Sequence, residues 1–156
     1  MNTLLQNAAD AITQKAGWPP VQADSDGRCR FSLEGGLDFE MFTPDGKTGF
    51  FVSELAAVPA LSSAQAADKL ERIAALSAGV LKKRLSVLSI SDSDKFELSR
   101  SFSLSESSEL EILTHAKEFL NDLAWWKKQM GNEKTSAGTA PAGGPFSFTM
   151  GSWFPG

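Results

Sequence analysis

The sequence predicts an α+β protein, a twisted antiparallel sheet packed by helices, with its elements in the order α-β-β-β-α-β-β-α. Three observations carry that expectation. Apolar residues recur at helical spacing in three stretches, at the start, the middle and the end of residues 1–130. Between them, short runs alternate apolar and polar residues with period two. Clusters of glycine, proline, aspartate and serine separate the runs.

The first helix is read over Leu4–Ala16. Leu4, Ala8, Ile12 and Ala16 recur every fourth residue, and Gln6, Asp10 and Gln14 occupy the rest of the cylinder. Gly17 and Pro19-Pro20 end it. After the Asp24-Ser25-Asp26-Gly27 turn, Cys29, Phe31 and Leu33 alternate with charged and polar residues as a first strand. Gly35-Gly36 predicts a two-residue hairpin into Leu37, Phe39 and Met41. Pro44-Asp45-Gly46 turns the chain again into a third strand at Phe50-Phe51-Val52. Ser62 and Gln65 fit a capping box that opens a middle helix running to about Arg84, where Lys82-Lys83-Arg84 suit the negative end of the helix dipole.

Val87, Leu88 and Ile90 make a short strand, and Ser91-Asp92-Ser93-Asp94 is its turn. Phe96, Leu98, Phe102 and Leu104 then alternate with Glu97, Ser99, Ser101 and Ser103. Arg100 falls on the apolar face of that strand, which requires a sheet edge or a carboxylate partner. Ser108 and Glu111 offer a second capping box for a helix through Ile112, Ala116, Phe119, Leu120, Leu123 and Trp126. Adjacent helical positions diverge by about 100°, so one of Trp125 and Trp126 should pack inward and the other sit at a rim. From Gly131 the composition becomes rich in glycine, alanine, serine and threonine, a flexible linker before an aromatic tail of Phe146, Phe148, Met150, Trp153 and Phe154. The alternation in Phe146–Met150 suits an added strand, which leaves two readings of the tail: one that covers an apolar groove of its own or a neighbouring subunit, and one that stays disordered.

A chain of 156 residues is one domain's worth and can bury a sizeable core unaided. Its net charge of −4 opposes binding to nucleic acid or to an anionic membrane surface. The lone Cys29 cannot form an internal disulfide. The start lacks the basic residues and continuous apolar run of a signal peptide, and no run of about 18 apolar residues occurs, which predicts a cytoplasmic protein.

Catalytic equipment is sparse. Cys29 and His115 would need to meet in an electropositive setting to form a nucleophile–base pair, and nothing in their spacing indicates it. Asp24-Ser25-Asp26-Gly27 and Asp92-Ser93-Asp94 lack the remaining ligands of a calcium loop. Gly35-Gly36 lacks the helix and lysine of a phosphate loop. The reading is therefore of a protein that is not an enzyme, with no cofactor and no metal.

The element order, together with helix Leu4–Ala16, the Gly35-Gly36 hairpin, the Pro44-Asp45-Gly46 turn, the strand pair around Asp92-Ser93-Asp94 and the helix ending Phe119–Trp126, resembles the class I type III secretion chaperones, the Tir chaperone family. The resemblance covers residues 3–130 and leaves the aromatic tail unexplained. It implies a homodimer in the bacterial cytoplasm that binds a secreted effector in extended, non-globular form. It also implies that no nucleotide is hydrolysed by the chaperone and that a secretion-apparatus ATPase strips the cargo. Carried over, the dimer interface is Leu76, Val80, Val87, Leu88 and Ile90, and the effector-binding grooves include Leu5, Phe31, Phe39 and Phe50. The other reading of the same pattern is a protein-binding or sensory module outside secretion, such as a YbjN-like domain.

Overall fold

The computed structural model describes residues 2–59, 64–80 and 83–131. Its elements are α1 (Thr3–Ala16), β1 (Cys29–Phe31), β2 (Phe39–Phe42), β3 (Thr48–Ala57), α2 (Ala64–Val80), β4 (Val87–Ile90), β5 (Lys95–Ser103) and α3 (Glu109–Gly131). This is the expected α-β-β-β-α-β-β-α order. The strands form one antiparallel sheet in the order β1-β2-β3-β5-β4, which leaves β1 and β4 as its two edges.

α1 begins where the Asn2 side chain accepts from the Leu5 backbone at 3.0 Å. It ends at Gly17, whose φ of 76° is the left-handed cap that glycine adopts without strain. Leu5, Ala8, Ala9 and Ile12 form its buried stripe. Gln6 then holds the chain that follows, donating to the Val21 carbonyl at 2.9 Å and accepting from the Ala23 amide at 3.3 Å.

The strands differ from the sequence reading at two places. The first hairpin is longer: β1 stops at Phe31, and Glu34–Gly36 form a 3₁₀ turn in which Gly35 and Gly36 both have positive φ. Asp38 accepts from the Leu33 amide at 3.0 Å and closes this wider loop, while Leu37 turns into the core. Strand β3 extends well beyond Phe50-Phe51-Val52, because it is paired on both sides and β5 runs beside it from Thr48 to Ala57.

Residues 60–63, 81–82 and 132–156 lie outside the described residues. The capping box at Ser62, the role of Lys82, the linker and the aromatic tail therefore all fall there. The described part of α2 ends at Val80, before residues 81–82, and the Arg84 amide bonds back to the Val80 carbonyl at 2.8 Å. At α3 the Ser108 hydroxyl accepts from the Glu111 amide at 3.2 Å, as a capping serine should.

The core lies between the inner face of the sheet and helices α1 and α3. Phe31 stacks on Phe39 at 4.6 Å, Phe51 on Phe102 at 4.8 Å, and Phe119 of α3 closes over Phe39 and Phe51 at 5.9 and 5.6 Å. Burying each such ring contributes about 1.5–3 kcal/mol. Trp126 is buried and Trp125 half-buried, in edge contact at 5.0 Å, as their adjacent positions required.

Candidate protein-docking surfaces

Two surfaces are left without a covering element among the described residues. The first is the outer face of the sheet. Strand alternation places Phe31, Phe39, Met41, Phe51, Leu98 and Phe102 inward, so their neighbours Arg30, Glu40, Phe42, Phe50, Val52, Glu97 and Ser99 must face out. Phe42 and Phe50 are directly opposed and stack at 5.5 Å, with the Arg28 guanidinium 4.1 Å from the Phe42 ring. Both rings are only half-buried, an apolar step among the charged and polar residues of that face.

Around that step the charges are organised. Glu40 binds Arg28 at 3.2 Å and Arg30 at 2.9 Å, and Arg30 also reaches Asp24 at 2.8 Å. The Arg28 amide and the Arg30 side chain, both donating to Asp24, hold its carboxyl down at about 2. Further along, Glu54 and Glu97 stand directly opposite, and burial followed by the Glu54 charge pushes the Glu97 carboxyl up. Like charges opposed across a sheet repel, and Lys95, with its ammonium 3.9 Å from Glu54, offsets part of that repulsion.

The second surface is the β4 edge with α2. Of the α2 residues only Ile73 is buried. Leu70, Ile73, Ala74, Ser77 and Ala78 face Leu88, Ile90 and Phe96 across an open cleft of about 320 Å³. Val87 and Ile90 are 48% and 54% exposed, and Leu85 just before them is 65% exposed. An apolar helix face beside an unpaired strand edge is an unfinished core.

Behind that edge lies a buried polar cluster. Arg100 is 3% exposed on the inner face of β5, just past the end of β4, which begins opposite Ser99. It donates to Glu118 at 2.5 Å and to His115 Nδ1 at 3.1 Å, and lies 4.0 Å from Asp122. The carboxylate partner that its position demanded is thus supplied twice by α3. Asp122 in turn accepts from Arg84 at 2.7 Å and from Ser86 at 2.6 Å.

Cys29 and His115 are not brought together. Cys29 pairs with Met41, Met41 with Phe51 and Phe51 with Arg100, so three strand spacings, about 14 Å, separate the thiol from the strand that His115 packs on. Burial pushes the Cys29 thiol up to about 11, the opposite of an activated nucleophile. The two aspartate-rich turns are held by their own backbone bonds, with Asp24 accepting from Asp26 and Arg28, and Ser91 closing on Lys95. Among the described residues there is no group of three potential metal ligands. No described helix is long and apolar enough to cross a membrane.

At the level of sequence no family model matches the chain and no curated protein is similar to it. Solved structures are similar in fold. A chain of the HopA1–SchA chaperone–effector complex superposes with a TM-score of 0.63 at 13% identity, covering 81% of this chain and 95% of that one. This chain has the fold of the type III secretion chaperones. The ExoU–SpcU complex from the type III secretion system of Pseudomonas aeruginosa gives 0.58 at 12% identity over 78% and 93% of the two chains. The Yersinia pestis type III secretion chaperone SycH, in complex with a fragment of YscM2, gives 0.53 at 8% identity over 78% and 98%.

Within this chaperone fold the residues expected at the grooves divide. Leu5, Phe31 and Phe39 are each about 2% exposed and belong to the core beneath the sheet, so they are not presented as a surface. Phe50 does face out, on the step with Phe42. Leu76, Val80, Val87, Leu88 and Ile90 all remain half-buried or exposed in the single subunit, on α2 and the β4 edge. Phe42 went unnoticed in the sequence, although it sits in the outward phase of β2 directly opposite Phe50, and Val52 was read there only as part of a strand. Asp122 also went unnoticed, although it falls at helical spacing between the core residues Phe119 and Trp126.

Proposed function

We propose that this protein is a type III secretion chaperone that binds an effector segment in extended, non-globular form and keeps it stable and secretion-competent. The observation that carries this reading is the outward Phe42–Phe50 step on an uncovered sheet face, in a fold whose solved relatives include chaperone–effector complexes. An extended chain can lay alternate side chains on Phe42, Phe50 and Val52, while the free edge of β1 offers backbone groups for strand addition. Leu5, Phe31 and Phe39 hold that face rigid from below. Ordering a disordered segment costs entropy, so affinity has to come from a broad contact of this kind.

The working unit in this proposal is a homodimer in the bacterial cytoplasm, joined through Leu76, Val80, Val87, Leu88 and Ile90. The chain itself hydrolyses no nucleotide; the secretion-apparatus ATPase removes the effector. The unfinished core between α2 and β4 supports that use of the edge. The test is affinity capture of the full chain from a type III-secreting bacterium, in parallel with Phe50→Asp. A secreted effector retained by the native chain and lost by the variant is the expected result. Retention of the same partners by the native chain and the variant alike would overturn the placement of the cargo, and absence of any secreted partner would overturn the function.

A further inference from the structure

We infer that Asp122 is the positioning residue that presents the β4 edge for pairing, an inference that rests on the dimer reading above. Asp122 lies on α3 and is 4% exposed. One carboxylate oxygen accepts from Arg84 Nη1 at 2.7 Å and the other from Ser86 Oγ at 2.6 Å. Both donors belong to the short connector between α2 and β4, and Ser86 is the residue immediately before β4. Arg100 of β5 adds a third positive or donor group at 4.0 Å from the same carboxylate. The Arg84 guanidinium also lies 5.0 Å from the Trp125 ring, one turn along the same helix face.

The edge needs such a restraint. β4 has four residues, is hydrogen-bonded on one side only, and exposes about half of Val87 and of Ile90. The neighbouring α2 buries a single described residue, so it supplies little packing to hold the strand. Short edge strands with few buried contacts open at low free-energy cost. A carboxylate inside the core, bonded to two successive points of the connector, fixes where β4 starts and in which direction it leaves. Hydrogen bonds to an ionised, desolvated group are short and strong. A well-packed apolar group can often replace a buried ion pair without loss of stability, so what this cluster adds is a defined position. A partner that pairs with β4 then meets a pre-ordered strand, and the entropy of ordering it is not charged to binding.

Three full-length variants separate this role from a general contribution to stability: Asp122→Asn, Ser86→Ala and Glu118→Gln. Glu118 shares Arg100 with Asp122, and its hydrogen bond and ion pair among the described residues go to Arg100 of β5 rather than to the connector. Amide hydrogen exchange and sedimentation are read on each. Asp122→Asn is expected to speed exchange at residues 87–90 by about tenfold, leaving β1–β3 unchanged. The dimer Kd should rise by about tenfold in the same variant. Ser86→Ala should act in the same direction with a smaller effect, and it carries the test if Asp122→Asn does not fold. Glu118→Gln should leave residues 87–90 as they are. Unchanged exchange at β4 in both Asp122→Asn and Ser86→Ala, a uniform acceleration over the whole sheet, or an equal effect of Glu118→Gln would overturn the inference. If the native chain sediments as a monomer, the dimer reading falls. The exchange contrast then still decides whether Asp122 holds the edge.

Discussion

Arg100 donates from Nε to Nδ1 of His115 at 3.1 Å, which requires a neutral imidazole carrying its proton on Nε2. Burial, and then the Arg100 charge, hold the imidazole below its ordinary value of about 6.5, against the smaller opposing influence of Glu118 and Glu111. A depressed histidine contributes stability above its unfolded value and loses it as pH falls towards the folded one, because the unfolded chain takes up the proton first. The thermal midpoint of the native chain should therefore fall as pH is lowered below about 6.5. His115→Gln should show a flatter profile across that window. Glu97, whose carboxyl is raised, acts with the opposite sign and is common to both proteins. Parallel profiles for the two would show that the imidazole is not held neutral.

Gly49 and Phe102 are cross-strand partners, and the Phe102 ring lies over the glycine. A Cβ at position 49 would come within 2.4 Å of the ring, with Phe51 stacked behind it at 4.8 Å. Gly49→Ala should therefore destabilise the protein by about 1–3 kcal/mol, despite the better strand propensity of alanine. Urea unfolding measures this, and an unchanged or higher midpoint would show that the ring can move aside.

Phe39 and Phe50 should separate stability from binding. Phe39 is sealed between Phe31, Phe51 and Phe119, and Phe39→Ala should cost about 3–5 kcal/mol. Phe50 is half-buried on the outer face, so Phe50→Asp should leave the near-ultraviolet dichroism intact and abolish capture of the effector. Cys29→Ala and His115→Ala should retain capture wherever they remain folded. Loss of capture in a folded Cys29→Ala variant would point to chemistry at the thiol and against a purely binding role.

Val87→Asp tests the edge. At 48% exposure the substitution costs the isolated subunit little, about 0.5 kcal/mol or less. In a dimer joined at β4 the same carboxylate would be desolvated without a partner, which is strongly unfavourable. Light scattering should show the native chain as a dimer and the variant shifted towards monomer. An identical mass for the two would remove β4 from the interface.

The local chemistry of the sequence determined the order and kind of the elements. The helical period over Leu4–Ala16, the Gly17 stop, alternation from Phe96 to Leu104 and the Ser108 cap are short-range signals that reappear in the structure, although the buried stripe of α1 runs through Leu5, Ala8, Ala9 and Ile12 and leaves Leu4 43% exposed. Arg100 was legible too, because a cation in the inward phase of a strand has to find an anion. Which anion it finds depends on how α3 lies across the sheet, and that is a long-range fact. The same holds for Leu5, Phe31, Phe39 and Phe50. Their apolar character says that they leave water, but only the packed helices decide that three are sealed and one faces out. The Gly35-Gly36 turn widened because Leu37 gained a place in the core, a reward invisible in the dipeptide. Tertiary structure likewise decided that β3 runs to Ala57, since pairing with β5 supplies hydrogen bonds that the polar residues Ser53 and Glu54 do not announce. Periodicity reports which residues are apolar and in what phase. Which of them become core and which become surface is settled by what the rest of the chain lays over them.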